Sequence, residues 1–139
     1  EVAEVAEVAE VAEVAEVALL PEITNDEAIT AILKEWASAW SRQDVTHYLN
    51  FYMKGYKSAE HDTHQQWSEE RGRRIHNAKG IQITLDNLKI DLKTPTAAVV
   101  SFKQGYQSDY YSDITFKQMR LYKVKQDWKI VQEVGVVQK

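Results

Sequence analysis

The spacing of apolar residues changes at Gly80, and this change constrains the fold more than any other feature of the chain. Between Thr24 and His76, apolar side chains recur every three or four residues, which predicts helices that pack through one face. From Gly80 onward the period is two, which predicts β-strands. Because the helices precede the strands and do not alternate with them, the pattern indicates an α+β domain, with helices on one face of an antiparallel sheet.

Three helices are predicted in the first half. The first begins at the capping box Thr24-Asn-Asp-Glu27, in which the hydroxyl and the carboxylate satisfy amides at a helix start, and it ends near Arg42. The second follows Asp44, which can cap it. The third runs from about residue 62 to residue 76. A turn and connector, from Met53 to His61, is predicted between the second and third helices.

Four strands are predicted in the second half. The apolar residues of the first strand change parity near Asp86-Asn87, which indicates a β-bulge there. The other strands are predicted at residues 97–107, 114–125 and 128–137. Polar turns separate them, so the sequence predicts a four-strand antiparallel meander.

The first 18 residues are six copies of Glu-Val-Ala. A period of three places valine on every side of a helix and on both faces of a strand, so neither structure gains an apolar face. We therefore interpret residues 1–20 as a solvated spacer and residues 21–139 as the folded domain; the alternative is a helix docked on a partner. Because the chain begins at Glu1 without a methionine, we expect another domain upstream of the spacer.

Composition excludes several classes of function. Six of the 21 acidic residues lie in the repeat, which leaves 15 against 17 Lys and Arg in the rest of the chain. This near balance argues against nucleic-acid binding through bulk positive charge. The chain has no Cys, which rules out disulfides, thiolate metal sites and a cysteine nucleophile. No apolar run approaches the roughly 18 residues that span a bilayer.

Several motifs resemble known proteins. Trp36-Ala-Ser-Ala-Trp40-Ser-Arg-Gln-Asp44, followed by Tyr48-Leu-x-x-Tyr52, resembles the opening of nuclear-transport-factor-2-like (NTF2-like) domains. Four further motifs resemble a bacterial subgroup of these domains: Trp67-x-x-Glu70-Arg71-x-x-Arg74-Ile75, Phe102-x-Gln104-x-Tyr106-x-Ser108, Lys117-x-Met119-x-Leu121 and Trp128-Lys-Ile-Val-x-Glu133. The resemblance covers about residues 25–135. It implies a cone in which a strongly curved four-strand sheet wraps around three helices and leaves a pocket at its open end.

The resemblance also implies a cellular context. The subgroup is appended behind L,D-transpeptidase or L,D-carboxypeptidase domains in Gram-negative cell-wall proteins, so it implies a periplasmic or envelope location and an upstream domain as partner. The histidine and cysteine motif of those catalytic domains is absent here. We therefore expect a non-catalytic binding or accessory module that recognises a peptidoglycan fragment or a protein through its pocket.

Two alternatives to this function stay open at this stage. One is a small-molecule isomerase, dehydratase or cyclase that uses the pocket, with Tyr52, His76, Tyr106, Lys117 and Glu133 as its first candidates. The other is a homodimerisation module. Domains of this type pair through the outer sheet face, where Phe116, Tyr122 or Val99 would contribute apolar area.

Nine side chains are candidate ligand-binding residues, chosen because they bear charge, hydroxyl, amide or flat aromatic groups: Tyr52, Trp67, Arg71, Arg74, Gln104, Tyr106, Tyr110, Lys117 and Glu133. The two arginines lie three apart on a predicted helix, where paired guanidinium groups suit a carboxylate or a phosphate. Their alternative role is pairing with Glu69, Glu70 or Glu133.

Further side chains are less informative. We expect Lys117 and Glu133 to form a pair across adjacent strands, because an isolated buried charge is costly. His61 and His64 are spaced for two metal ligands, but spacing places no third, so we predict solvated histidines and neither a metal nor a cofactor. No Ser-His-Asp order or phosphate-binding glycine loop stands out.

Overall fold

The computed structural model describes residues 23–136. The helices are α1 (Asn25–Ser41), α2 (Val45–Asn50) and α3 (His64–Asn77), and the strands are β1 (Gln82–Thr94), β2 (Ala97–Gln107), β3 (Ser112–Val124) and β4 (Asp127–Val136). The strands form one antiparallel sheet in chain order. The predicted α+β architecture is confirmed, while the strong curvature of the sheet stays a prediction. The repeat that we interpreted as a spacer lies outside the described residues.

Each helix begins at a residue whose side chain accepts a hydrogen bond from a backbone amide of the first turn. Thr24 and Glu27 form the predicted capping box of α1, with both reciprocal hydrogen bonds present. The carboxylate of Asp44 caps α2, and the hydroxyl of Thr63 caps α3 by accepting from the amide of Gln66 at 3.1 Å. These caps explain why the helix starts could be predicted within about two residues. None of the helices in the described part of the chain is long and apolar enough to cross a bilayer.

The far end of α3 is held by Gln43, a residue of the connection between α1 and α2. Its backbone has a φ of 60°, a left-handed conformation that turns the chain between the two helices. Its side-chain amide nitrogen donates to the carbonyl oxygens of Ile75 at 2.7 Å and Ala78 at 2.5 Å. These carbonyls lie at a helix end, where no intrahelical partner exists. Gln43 therefore fixes the position of α3 relative to the other two helices.

The core lies between the helices and the inner face of the sheet. It is rich in aromatic side chains, and its largest fully buried members are Trp36, Trp67, Trp128, Tyr48, Ile29, Leu33, Ile75, Met119, Leu121, Ile130 and Val100. Trp36 contacts both Trp40 and Phe102 edge-on. The contact with Phe102 joins α1 to β2.

Bulges in β1 and in β4 set which side chains face the core. In β1 the register shifts between Asp86 and Lys89, and Asn87 has a φ of 57°, as the change of parity predicted. In β4 the residue opposite Leu121 is Ile130, while the residue opposite Arg120 is Gln132, so Val131 is an extra residue. This second bulge was not predicted. Its effect is to place Glu133 on the same inner face as Ile130.

Candidate functional site

Five polar side chains meet inside the domain, and we call them the inner cluster: Tyr48, Tyr52, Arg71, Lys117 and Glu133. They come from α2, the residues just after it, α3, β3 and β4. Only 4% of the Glu133 side chain is exposed, so the β4 bulge has buried a carboxylate within the core. A buried charge requires partners, and the rest of the cluster supplies them.

Glu133 is bound from three directions. The Nζ of Lys117 forms an ion pair with its Oε2, which confirms the predicted contact between the two residues. The hydroxyl of Tyr52 donates to its Oε1 at 2.7 Å, and the Nη1 of Arg71 lies 3.8 Å from the same oxygen. The backbone partner of Glu133 is Met119, so Lys117 reaches it diagonally across two strands.

The two tyrosines extend this arrangement into a directional chain. Arg71 has only donors and gives a hydrogen bond from Nη1 to the hydroxyl oxygen of Tyr48 at 2.5 Å. The oxygens of Tyr48 and Tyr52 lie 2.9 Å apart, and Trp36 Nε1 donates to Tyr52 at 3.2 Å. Tyr52 gives its hydrogen to Glu133, so the hydrogen shared by the two phenols must come from Tyr48.

The pKa values of these groups follow from burial and charge. Burial by itself raises the pKa of Glu133, but the charges of Lys117 and Arg71 and the hydrogen bonds it accepts outweigh this and lower it to about 2. Burial raises the pKa of Tyr48 to about 12, and burial beside the Glu133 charge raises that of Tyr52 well above 10.0. Burial opposes the charge of Arg71, yet its phenol and carboxylate neighbours raise its pKa. At neutral pH the cluster therefore holds one anion, two cations and two neutral phenols.

Both cations of the inner cluster also lie over aromatic rings. The Nζ of Lys117 is 5.5 Å from the ring centre of Trp40 and 5.7 Å from that of Trp36. The guanidinium carbon of Arg71 is 5.7 Å from the ring centre of Trp67. These are cation–π distances, so the aromatic rings add a favourable contact to each of the two positive groups.

A first cavity of about 320 Å³ opens beside these cations. Its lining includes three basic side chains, one acidic side chain, a buried amide and three aromatic rings: Arg71, Arg74, Lys117, Asp113, Gln104, Trp40, Tyr106 and Tyr111, together with Ile75 and Thr115. Within residues 23–136 the buried Oε1 of Gln104 has no hydrogen-bond partner. The formal charge of the lining is therefore positive.

A second cavity of about 380 Å³ shares three basic lining residues with the first, Arg71, Arg74 and Lys117. It is also lined by a group of polar side chains that we call the outer cluster: Ser58, His61, Glu70 and Arg74. Glu70 binds His61 through Oε1 and Arg74 through Oε2, the latter at 2.7 Å. The hydrogen bond from His61 and the charge of Arg74 lower the pKa of Glu70.

The structure brings together most of the nine predicted residues. Arg71, Arg74, Gln104, Tyr106 and Lys117 line the first cavity, and Trp67 and Glu133 line the second. Tyr52 is buried, lines neither cavity and donates a hydrogen bond to Glu133. Tyr110 is 87% exposed at the β2–β3 hairpin and lines neither cavity. That these residues bind a ligand stays a prediction.

Sequence reasoning missed two features. Tyr48 was not selected, although its spacing of four from Tyr52 on a helix signals that the two rings share a face. His61 was expected to be solvated, but only 17% of its side chain is exposed, because Ser58 and Glu70 enclose it. The short spacing from Ser58 to His61 is the signal that would have linked them. His76, considered for catalysis, is exposed at the end of α3.

Solved structures share this fold at low sequence identity. Bd1075 of Bdellovibrio bacteriovorus is 22% identical, with a TM-score of 0.71 over 80% of this chain and 40% of that protein. The helical cell shape determining protein Pgp2 of Campylobacter jejuni, a K307A mutant, is 20% identical, with a TM-score of 0.70 over 78% of this chain and 39% of Pgp2. The chain thus spans about two fifths of either protein. A candidate scytalone dehydratase of Novosphingobium aromaticivorans is 13% identical, with a TM-score of 0.61 over 79% of this chain and 83% of that one.

A family assignment comes from the sequence itself. Curated proteins provide no match to the chain. The family model described as the Cds6 C-terminal NTF2-like domain, however, matches residues 28–134, from the first turn of α1 to two residues before the end of β4. This span includes every residue of the inner and outer clusters. The chain therefore belongs to the family of Cds6 C-terminal NTF2-like domains.

Proposed function

We propose that this domain is a non-catalytic binding module of a bacterial envelope protein, and that its first cavity holds a carboxylate of a cell-wall peptide. The single observation that carries the proposal is the convergence of Arg71, Arg74 and Lys117 on a cavity with one acidic residue, Asp113. Guanidinium and ammonium groups bind carboxylates through charge-assisted hydrogen bonds. Gln104, Tyr106 and Tyr111 contribute further polar side chains to the same lining.

The family and its structural neighbours supply the context of this proposal. Bd1075 and Pgp2 each contain this fold as about two fifths of their length, which is consistent with a module of a larger protein. Pgp2 is a cell shape determining protein, and bacterial cell shape depends on the cell wall. A periplasmic or envelope location and an upstream domain as partner are parts of the same proposal.

Glu133 and Tyr52 are poorly suited to acid–base chemistry, which favours binding over an isomerase or dehydratase function. An efficient general base has a pKa near the pH at which it works. The pKa of Glu133 is lowered to about 2 by its two cationic neighbours, and that of Tyr52 is raised well above 10.0 by burial. Each of these groups is also already bound by the other.

Calorimetric titration with a purified muropeptide that carries free peptide carboxylates tests the proposal. We expect binding by the wild-type chain and none by the same muropeptide with its carboxylates amidated. Arg74→Ala removes a basic side chain that is 71% exposed, and it should weaken binding about tenfold, since a hydrogen bond to a charged group is worth roughly 1.5–3 kcal/mol.

A matched control is available on the same helix. Arg73 is exposed, carries the same charge and lines neither cavity. Arg73→Ala should therefore bind the muropeptide as the wild type does. Equal affinity for the free and amidated muropeptides, or equal losses in the two arginine variants, would contradict the proposal. Binding to a protein partner, with no response to muropeptides, would instead support recognition of that partner.

A further inference from the structure

The outer cluster contains a nucleophile, a base and a carboxylate in sequence, and no part of the proposed binding function uses them. The hydroxyl oxygen of Ser58 lies 2.6 Å from Nδ1 of His61. The other ring nitrogen, Nε2, binds the Oε1 of Glu70. All three side chains line the second cavity, so a substrate that enters it meets the whole group.

The hydrogen bonds around these residues select the protonation pattern that catalysis requires. The backbone amide of Glu60 donates to the hydroxyl oxygen of Ser58 at 3.2 Å, which leaves the hydroxyl hydrogen for Nδ1 of His61. An ionised Glu70 only accepts, so Nε2 of a neutral His61 carries the hydrogen between them. Arg74, which binds the second oxygen of Glu70 at 2.7 Å, keeps that carboxylate ionised. In its neutral form His61 therefore presents an acceptor to Ser58 and a donor to Glu70.

From this geometry we infer that Ser58, His61 and Glu70 form a Ser-His-Glu acyl-transfer site in the second cavity, which hydrolyses small esters. A serine, a histidine that accepts its proton and a carboxylate that orients the histidine make up the nucleophile, base and orienting group of serine hydrolases. In serine hydrolases the serine usually contacts Nε2 and the carboxylate contacts Nδ1. Here the two roles are exchanged, because Ser58 is only three residues from His61 and contacts Nδ1. Ser58, His61 and Glu70 do not line the first cavity, although the two cavities share Arg71, Arg74 and Lys117.

The reaction balances without any further reagent. Oγ of Ser58 bonds to the ester carbonyl carbon, its proton passes to Nδ1 of His61, and the carbonyl electron pair moves onto oxygen. As the carbonyl re-forms, the bond to the leaving alkoxide breaks and the alkoxide takes the proton from His61. Water then attacks the acyl-Ser58 in the same way, which releases the acid and restores the hydroxyl. Arg74 and Lys117 line the cavity as positive groups for the transient oxyanion.

The test uses the full 139-residue chain and two probes, p-nitrophenyl acetate and an alkyl fluorophosphonate. Peptide mapping by mass spectrometry should place the phosphonate on Ser58 of the folded wild type. No adduct should form in urea, where the three residues are apart. This measurement requires no variant, so a loss of folding cannot produce its result. An unlabelled chain, or a label on any other residue, would overturn the inference.

Variants then test each role against ester hydrolysis. Ser58→Ala and His61→Gln should each lower the rate at least about 100-fold, since a positioned base contributes roughly 10²–10⁴-fold. Glu70→Gln keeps the size of the side chain but removes its charge, and it should lower the rate by a smaller factor. Ser68→Ala is the control, because Ser68 lies on α3 and lines neither cavity. A wild-type rate in Ser58→Ala would contradict the inference even if muropeptide binding were intact.

Discussion

The inner and outer clusters use similar chemistry in different surroundings. Each has a glutamate held by two basic side chains, Lys117 and Arg71 around Glu133, and His61 and Arg74 around Glu70. The Glu133 side chain is 4% exposed, whereas that of Glu70 is 35% exposed. Removal from water makes an unpartnered charge costly, while solvent replaces lost partners at the surface. The comparison predicts that losing a charged partner costs more stability in the inner cluster than in the outer cluster.

The largest effect should follow removal of the inner charge. Glu133→Gln keeps the shape of the side chain but leaves Lys117 and Arg71 buried without their anion. Breaking a buried ion pair in this way costs about 3–5 kcal/mol, so we expect the free energy of unfolding in urea to fall by that amount. Glu69→Gln, at an exposed position on α3, is the control. A Glu133→Gln variant with wild-type stability would remove the distinction between the two clusters.

Acid should weaken the inner cluster by a comparable amount. The pKa of Glu133 is about 2 in the folded protein against 4.5 without the fold, so the folded state favours its ionised form. This contribution is fully present above pH 4.5 and is lost as the pH falls from there towards 2. Over that range we expect about 3 kcal/mol of stability to be lost, measured by denaturant unfolding at several pH values. In Glu133→Gln, the slope of stability against pH in this window should be shallower.

An intermediate effect is expected from the phenol chain. Tyr52→Phe removes a hydroxyl that donates to Glu133 and accepts from Trp36 and Tyr48, so several buried groups lose a partner at once. Leaving buried polar groups unsatisfied costs about 1–3 kcal/mol, which the midpoint of urea unfolding will show. Tyr110→Phe removes the same atom from a side chain that is 87% exposed, and its midpoint should not move.

The smallest effect is predicted for the outer cluster. Glu70→Gln removes the ion pairs with His61 and Arg74, but the side chains of Glu70 and Arg74 are 35% and 71% exposed, so water can replace much of what is lost. Its unfolding curve should therefore overlay that of the wild type, while ester hydrolysis falls if the inference about Ser58 is correct. A clear loss of stability together with the loss of activity would show that the outer cluster, like the inner one, is mainly structural.

The sequence predicted the helices, the strands and the principal ion pair. Caps such as Thr24 and Asp44 mark helix starts locally, and the parity change at Asn87 reveals the β1 bulge. The contact between Lys117 and Glu133 was predicted because two charges on adjacent strands of one face need each other. These features are encoded by spacing over a few residues, which is the information that one sequence contains.

The rest depends on contacts between distant segments. The β4 bulge at Val131 is not visible as a change of parity, because its neighbours Gln132 and Glu133 are both polar. The hydrogen bonds from Gln43 to the end of α3 join residues more than 30 positions apart, and no sequence motif predicts them. The enclosure of His61 likewise depends on where α3 brings Glu70. Such contacts follow only from the packed structure.

The direction of the hydrogen bonds from Arg71 to Glu133 has a consequence for spectroscopy. The hydroxyl hydrogen of Tyr48 points to Tyr52, and that of Tyr52 points to Glu133. Each of the two hydroxyl groups therefore has one defined orientation. Neither hydroxyl can turn towards bulk water to form an alternative hydrogen bond, since both side chains are buried. The two hydroxyl protons should then exchange with solvent slowly enough to give separate resonances far downfield in a proton NMR spectrum, which would report directly on the integrity of the domain interior.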